Sequence, residues 1–356
     1  MSIYLLDGHA LAYRAYFALT AGSGADRWRT SKGEPVAGIY GFASILMRLL
    51  DKEKPAHIAI AFDTGKTFRN DLYAGYKATR AKMPDDLRPQ IDRIRELTDI
   101  FGFPRLEMEG YEADDVLGST AQIAVKDGYD VKIVTGDKDL LQLVTDKILV
   151  ELSGNKLSET KEYDVQTVKQ YLGILPEQVV DYKALVGDPS DNYPGVPGIG
   201  PKTAVTLLNQ YGTLDSIYEH LSEIKESIAQ KLKANKESAY LSRELAKIRT
   251  DLSLDINLAL GATDRIDFPA VEKFFKELEF KSLIPKLRTL APTFQPIQDQ
   301  LSLFGLSNAD DEQPESAHEA RCHIIDSEQD LIRMIEKISQ ANSLSLDTET
   351  TGTDPM

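Results

Sequence analysis

Acidic residues follow several short apolar segments in the first half of this sequence. Asp7 ends IYLLD, Asp63 ends IAIAFD, and Asp137 and Asp139 follow VKIVTG. Because functional groups in open α/β sheets collect at the carboxyl ends of the strands, we expect these acids to lie together. The segments YEADD and GDPSDN add further acids. The predicted cluster has nine carboxylates: Asp7, Asp63, Glu112, Asp114, Asp115, Asp137, Asp139, Asp188 and Asp191.

The cluster predicts a metal centre. Each acid taken singly has an ordinary explanation as a turn residue or a helix-start residue. Together they repel, because two carboxylates about 4 Å apart cost roughly 4 kcal/mol at an effective dielectric of 20. Oxygen ligands favour Mg²⁺ or Mn²⁺ over zinc or copper. Two such ions roughly 4 Å apart activate a water and stabilise the leaving oxygen in phosphodiester hydrolysis.

The elements that must position these acids follow an α/β pattern. Apolar segments alternate with helical periodicity, which predicts a mostly parallel sheet flanked by helices. The predicted strands are Ile3 to Leu6, His57 to Phe62, Val131 to Thr135 and Ile148 to Leu152. The predicted helices are Gly38 to Leu50, Asp86 to Phe101 and Glu112 to Lys126. Residues 165 to 290 are predicted to form a mostly helical extension, interrupted by a Gly/Pro-rich stretch.

Five segments in order carry a resemblance to a known family. They are LLDGHALAYRAYFA, AFD, YEADDVLG, TGDKDLLQL and GDPSDNYPGVPGIGPKTA. Over residues 1 to 290 the sequence resembles the 5′ nuclease domain of the flap endonuclease superfamily, in the form that begins bacterial DNA polymerase I. The resemblance implies a PIN-like fold and a site with two Mg²⁺ or Mn²⁺ ions that cleaves the 5′ strand at single-strand/double-strand junctions.

The resemblance also implies a division of the acids. Asp7, Asp63, Glu112 and Asp114 would hold the first metal ion. The second would be held by Asp137, Asp139 and Asp191, with Asp115 and Asp188 in support.

Basic and aromatic residues alternate in the segment from 64 to 83. Such a segment can neutralise phosphates and stack unpaired bases, although a solvated amphipathic helix has the same pattern. The resemblance implies a helical arch over the site, with Lys77 and Arg80 nearest the scissile phosphate. With Asp7, Asp63, Asp114 and Asp137, these two cations form the predicted catalytic set. The further DNA contacts predicted here are Lys66, Arg69, Tyr76 and Lys82.

The stretch GVPGIGPKTAVTLL predicts a second DNA contact. Its glycines permit close backbone approach, and the amides at the start of the following helix favour an anion, although an ordinary tight turn has the same composition. Residues 187 to 212 resemble a helix-hairpin-helix, which grips duplex phosphates, often with a monovalent cation such as K⁺. The candidate contacts are Gly195, Gly198, Gly200 and Lys202.

The C-terminal part changes character. Residues 291 to 318 are rich in Pro, Gln, Ser and acids, as linkers are. Within them, Gln300, Leu301, Leu303 and Phe304 resemble a peptide that docks on the bacterial sliding clamp, unless they fold back onto their own domain. Residues 319 to 356 resemble the incomplete start of an RNase H-like 3′-5′ exonuclease domain, in which Asp347 and Glu349 form part of a second exonuclease site. Polymerase motifs are absent, so the sequence is expected to be a fragment of a longer polymerase.

The composition limits the partners, cofactors and cellular locations that remain possible. The net charge of -15 at first argues against a nucleic-acid partner, but residues 295 to 356 hold 13 acids and 3 basic residues. The total is therefore compatible with a DNA enzyme. One cysteine excludes an intrachain disulfide, and no Cys/His set has zinc spacing. No apolar stretch is long enough to span a membrane. A soluble, cytoplasmic, nucleoid-associated bacterial monomer is expected.

Two other functions remain open. One is a ribonuclease with a related nuclease core, which is disfavoured because such enzymes typically lack the basic segment and the hairpin. The other is a catalytically silent DNA-junction binding module, which the full set of nine acids argues against.

Overall fold

The computed structural model describes residues 1–22, 24–154, 159–294, 332, 334 and 335. The chain divides into a unit of 1–301 and a unit of 302–356. Of the second unit, only three residues, 332, 334 and 335, are described, and all three are helical. In the described part of the chain, no helix has the length and apolar character to cross a membrane.

In the described part of the first unit, six strands form one sheet. They are β1 (Ser2–Asp7), β2 (His57–Ala61), β3 (Arg105–Leu106), β4 (Asp130–Thr135), β5 (Ile148–Ser153) and β6 (Thr160–Tyr163). Their order is β3-β2-β1-β4-β5-β6. All neighbouring pairs are parallel except β5 and β6. The strand order reverses beside β1, so the carboxyl ends of β2, β1 and β4 are adjacent at the position where such sheets bind ligands.

Helices cover the sheet and continue beyond it. They are α1 (Gly8–Thr20), α2 (Ala37–Lys52), α3 (Phe68–Leu72), α4 (Arg88–Ile100), α5 (Ala113–Lys126), α6 (Val165–Leu172), α7 (Val179–Val186), α8 (Pro201–Tyr211), α9 (Leu214–Glu219), α10 (Glu226–Ala234), α11 (Lys236–Ala246), α12 (Phe268–Glu277) and α13 (Ile284–Phe294). A 3₁₀ helix, Lys138–Leu143, follows β4.

Alternating side chains of β1 explain how the sheet is buried on both faces. Tyr4 and Leu6 join an apolar cluster with α1, α2, α4, α12 and α13. Ile3 and Leu5 point the other way, into a cluster with α5. The helical extension has its own core, built mainly from α7 to α11. Because apolar packing fixes both faces, the strand ends hold their polar side chains in set positions.

The predicted mostly parallel α/β sheet is confirmed, as are its four predicted strands and three predicted helices. The helical extension from 165 to 290 is also confirmed. Helix α1 was not predicted, because GHALAYRAYFALT has few polar residues to mark a face. Neither were β3, which has two residues, and β6, an edge strand of sequence TKEY whose two central residues are exposed.

Candidate active site

Three acids lie at the carboxyl ends of three adjacent strands. Asp7 ends β1, and its Oδ1 accepts a hydrogen bond from the backbone N–H of Ala10 at the start of α1, 2.9 Å away. Asp63 follows β2, and Asp137 follows β4. The Thr135 hydroxyl joins two of these positions, because it donates to Asp7 Oδ2 (2.8 Å) and accepts from the backbone N–H of Asp137 (3.0 Å). The predicted meeting of these strand ends is thus observed.

Helix α5 brings two more acids to this edge. Glu112 caps the helix and Asp114 lies in its first turn. Asp63 Oδ1 accepts from the backbone N–H of Ala113 at 2.8 Å, which ties the end of β2 to this helix start. The His9 ring also contacts Asp63, since its Nδ1 accepts from the Asp63 backbone N–H at 3.1 Å. Burial lowers the pKa of His9, so its ring is neutral near pH 7.

The acids line two adjoining cavities. The first cavity has a volume of about 620 Å³, and among its lining residues are Asp7, Asp63, Glu112, Asp114, Lys77 and Arg80. The second has a volume of about 750 Å³, and among its lining residues are Asp139, Asp188, Asp191, Lys138, Lys183 and Arg80. Asp137 lines both cavities. The division resembles the predicted assignment to two metal ions, with Asp115 outside both cavities.

The first cavity holds negative charge that lacks cationic partners. Within the described ranges, no Lys or Arg forms an ion pair with Asp7, Asp63, Asp114 or Asp137, which we call the open carboxylate cluster. Burial, followed by repulsion from Asp63, raises the pKa of Asp7 to about 7. Burial, followed by repulsion from Asp137 and Asp7, raises the pKa of Asp114 well above its usual range. These carboxylates therefore favour a bound cation.

The second cavity contains lysine and arginine partners for its acids. Lys183 Nζ lies 2.6 Å from Asp139 Oδ1 and also binds Asp188, and Arg80 binds Asp191. Burial and repulsion from Asp137 nevertheless raise the pKa of Asp139 to about 7. Lys183 was not predicted, because its long-range pairing with Asp139 arises only from the fold.

Oxygen ligands and unbalanced charge make the site suitable for Mg²⁺ or Mn²⁺. The Tyr193 hydroxyl is buried and has no hydrogen-bond partner among the described residues, and burial, followed by the charges of Asp139 and Asp188, raises its pKa. It is therefore a free polar group beside the second cavity. Among the described side chains, no three of the His, Cys, Asp and Glu type already enclose a common point. Eight of the nine predicted acids, all except Asp115, thus line the cavities without converging on single ligand positions.

Arg69 and Asp115 lie elsewhere than predicted. Arg69 is 2% exposed, and its two terminal nitrogens donate to Asp115 at 2.6 and 2.8 Å. Its remaining donors bind the carbonyls of Leu245 and Lys247. Asp115 also accepts from the backbone N–H groups of Glu112 and Arg249. Both side chains are saturated inside the protein, so a DNA contact for Arg69 and a metal contact for Asp115 do not fit these positions.

The basic segment 64–83 is not a helical arch in this structure. Only Phe68–Leu72 is helical, and Lys77 has a left-handed backbone with φ of 56°. Tyr76 is buried, and its hydroxyl shares its one proton between Glu112 Oε2 (3.0 Å) and Asp191 Oδ2 (3.2 Å), so the ring is not available to stack on a base. Lys77 Nζ lies 2.6 Å from Glu112 Oε1. These contacts tie the segment to the acids, while Lys66 and Lys82 remain exposed.

The Gly/Pro-rich loop before α8 has one glycine with a purely internal role. Gly195 is buried with φ of 61°, and a Cβ there would lie 2.2 Å from the Gly187 nitrogen. Its N–H and carbonyl bind Ser242 and Ser238, so the predicted DNA contact at Gly195 does not fit. Gly198, Gly200 and Lys202 are exposed at the start of α8.

The remaining candidate residues lie outside the described part of the chain. They are Gln300, Leu301, Leu303, Phe304, Asp347 and Glu349. Thr135 and His9 join Lys183 as residues of the site that the sequence did not single out. Their polar atoms bind Asp7 and Asp63 across 128 and 54 residues of sequence, and no local pattern marks such contacts.

The fold and the site define an α/β protein with an acidic site at the switch point of its sheet. Residues 2–173 match the family model for the 5′-3′ exonuclease N-terminal resolvase-like domain. Residues 174–268 match the model for the 5′-3′ exonuclease C-terminal SAM fold. The chain belongs to the 5′-3′ exonuclease family, as the five motifs predicted.

Among curated relatives, the chain is 40% identical to DNA polymerase I of Chloroflexus aurantiacus, over 99% of this chain and 39% of that protein. It is 42% identical to DNA polymerase I of Bacillus subtilis, over 80% of this chain and 32% of that protein. It therefore spans about a third of the length of the relatives it matches.

Among solved structures, the D15 flap endonuclease of bacteriophage T5, bound to DNA and metal ions, has a TM-score of 0.55 at 22% identity. That match covers 79% of this chain and 98% of the phage protein. At this identity the likeness confirms the PIN-like fold.

Proposed function

We propose that this chain is a divalent-metal-dependent nuclease that hydrolyses phosphodiesters at 5′ flaps, nicks and RNA primers. The open carboxylate cluster carries the proposal, because four acids at one sheet edge that form no ion pair with any described lysine or arginine need a cation. Family membership adds the reaction class, and the phage relative is a flap endonuclease crystallised with DNA and metal ions.

Two Mg²⁺ or Mn²⁺ ions, held by the acids of the two cavities, would supply Lewis acidity and lower the pKa of a water. Asp7, Asp63 and Asp114 would hold one ion, and Asp137 and Asp139 would help to hold the other. Lys77 and Arg80 would bind the scissile phosphate. Both cations already lie at this edge, paired with Glu112 and Asp191, and an entering phosphate would offer them a new anionic partner.

A second surface would hold the duplex. Gly198 and Gly200 are exposed just before the start of α8, and Lys202 lies in the first turn of that helix. Amides at a helix start together with a lysine can bind a phosphate without reading bases. We therefore keep the helix-hairpin-helix assignment for 187–212, with a K⁺ ion as its proposed companion. Lys66 and Lys82 would add contacts from the segment 64–83.

The wider context follows from the relatives, which are bacterial DNA polymerases I. We propose that the chain acts in replication and repair in the bacterial cytoplasm, as a monomer. The proposed domains are 1–290 for the nuclease, 291–318 for a linker with a clamp-binding peptide, and 319–356 for the start of a 3′-5′ exonuclease-like domain. Asp347 and Glu349 would belong to the second exonuclease site of that domain.

Cleavage of a labelled 5′-flap substrate tests the proposal. The chain is assayed with Mg²⁺, with Mn²⁺ and with EDTA, beside single-stranded and nicked DNA and an RNA strand alone. We expect metal-dependent cleavage near the junction and its loss in Asp114→Ala. Preference for the RNA strand would favour the ribonuclease alternative. Tight binding with no cleavage in either metal would favour a silent junction-binding module.

A further inference from the structure

Lys183 lies between two carboxylates of the second cavity. Its Nζ is 2.6 Å from Asp139 Oδ1 and also binds Asp188. Its side chain is 19% exposed. The contact with two carboxylates therefore places the Lys183 ammonium among the acids proposed for the second metal ion.

The two cavities differ in the cations that they already hold. In the first cavity Lys77 pairs with Glu112, while no lysine or arginine within the described ranges forms an ion pair with Asp7 or Asp114. In the second cavity Lys183 bridges two acids, and Arg80 pairs with a third, Asp191. The second cavity therefore has less unbalanced negative charge with which to attract a divalent ion.

Lys183 also differs from Lys77 and Arg80 in how it is held. Those two residues lie in the segment 64–83, where only Phe68–Leu72 is helical. Lys183 lies within α7, whose Ala184 and Leu185 are fully buried in the core of the helical extension. Its backbone carbonyl accepts from Gly187 at 2.8 Å. The ammonium can swing only within the reach of its own side chain.

We infer that the Lys183 ammonium competes with divalent ions for the carboxylates of the second cavity. It thereby lowers the affinity of that cavity for divalent ions, so the first cavity fills first. The inference rests on the proposed metal-dependent function and deepens it. A divalent ion that binds Asp139 and Asp188 must displace the ammonium or share the two carboxylates with it, and like charges within a few ångströms repel strongly. Lys183 thus tunes affinity and is not a catalytic residue.

Titration of the full chain with Mn²⁺ by calorimetry, without DNA, tests the inference. We expect wild type to bind Mn²⁺ in a tighter and a weaker class. Lys183→Met should tighten the weaker class by about tenfold, which is ~1.4 kcal/mol. The tighter class should not change. Lys183→Arg keeps the charge and should behave as wild type.

Lys138→Met is the matched control. Lys138 lines the same cavity, but its Nζ lies over the Tyr171 ring at 5.3 Å and pairs with no acid among the described residues. Its removal should leave both classes nearly unchanged. A larger effect from Lys138→Met than from Lys183→Met would overturn the inference. The loss of any positive charge in the cavity would then matter more than the loss of the contacts with Asp139 and Asp188.

The outcomes separate this inference from the proposed function. If Lys183→Met leaves the weaker class unchanged or weakens it, Lys183 positions the carboxylates and does not compete with the metal, and the inference is wrong. If wild type binds no Mn²⁺, the proposed function fails instead. Thermal melting checks that each variant is folded. Lys183→Gln, which also removes the charge, replaces Lys183→Met if the methionine variant does not fold, and the same tightening is expected.

Discussion

Asp114 and Asp115 are adjacent in sequence but belong to regions with opposite electrostatics. Asp115 accepts two N–H groups from Arg69 and two from the backbone, and is fully buried. Asp114 belongs to the open carboxylate cluster, where repulsion from Asp137 and Asp7 adds to the effect of burial. The partners of each acid, more than its type or its place in the sequence, therefore determine its role.

The two acids should also differ in how much their removal changes the free energy of unfolding. Breaking a buried ion pair by removing one partner is strongly destabilising, because the other charge is left buried without compensation. Removing one acid from a crowded cluster relieves repulsion and should cost little stability or even add some. The Arg69–Asp115 pair should therefore support the fold, and the open carboxylate cluster should support the chemistry.

The largest expected effect comes from the cluster. Asp114→Asn should reduce cleavage of a 5′ flap by about 10³-fold or more, or ~4 kcal/mol in the activation barrier, because a ligand of the proposed metal site is lost. The free energy of unfolding without metal should stay level or rise. Single-turnover cleavage and chemical denaturation measure the two quantities.

Asp127→Asn is the control for that variant. Asp127 is exposed at the opposite end of the same helix, so its variant should cleave and unfold as wild type does. Full cleavage by Asp114→Asn would remove the distinction between Asp114 and its neighbour.

The next effect comes from the buried pair. Asp115→Asn should lower the free energy of unfolding by about 3–5 kcal/mol, because Arg69 loses its carboxylate in a dry interior. Denaturant titration measures this loss. Asp71→Asn, which breaks the exposed pair with Lys66, should cost about 1 kcal/mol or less. Equal costs for the two variants would contradict the structural role of Asp115.

A smaller effect follows from pH. The pKa of Asp7 is raised to about 7, so the folded protein binds this proton more tightly than the unfolded chain does. Without metal, lowering the pH from 8 to 5.5 should stabilise the fold through this group by on the order of 1–2 kcal/mol. Asp7→Asn should lack this gain, and the comparison of the two proteins cancels the opposite effect of His9, whose pKa is lowered.

Added Mg²⁺ should reverse the trend, since it stabilises the ionised acids and does so most at pH 8. Thermal melting at both pH values, with and without Mg²⁺, provides the measurement. A wild-type protein whose pH dependence matched that of Asp7→Asn would argue against an open cluster.

The smallest expected effect comes from an exposed lysine at the start of α8. Lys202→Ala should weaken binding of a flap substrate a few-fold and reduce the slope of log K against log salt by about 1, because one phosphate contact is lost. Fluorescence anisotropy over a salt series measures both. Lys126→Ala, an exposed lysine at the far end of α5, should change neither quantity. An equal loss from both variants would assign the effect to net charge alone.

The sequence predicted the parts of this molecule that depend on local pattern. Apolar strands followed by Asp7, Asp63 and Asp137 were enough to place the acids on one edge, because parallel strands share a carboxyl end. The Arg69–Asp115 pair could not be predicted, since it joins positions 46 residues apart and depends on carbonyls near residue 246. Gly195 was misassigned because its composition suits both a ligand loop and tight internal packing.

Anomalous diffraction from crystals soaked in Mn²⁺ would show which carboxylates bind the metal ion. We predict manganese in the first cavity within coordination distance of Asp7 or Asp114, with a second ion near Asp137 and Asp139 at higher Mn²⁺ concentration. We predict no manganese at Asp115, where Arg69 should keep its two hydrogen bonds. An acidic edge without manganese at a saturating concentration would contradict a metal site at the open carboxylate cluster. An ion bound at Asp115 would contradict the purely structural role of that residue.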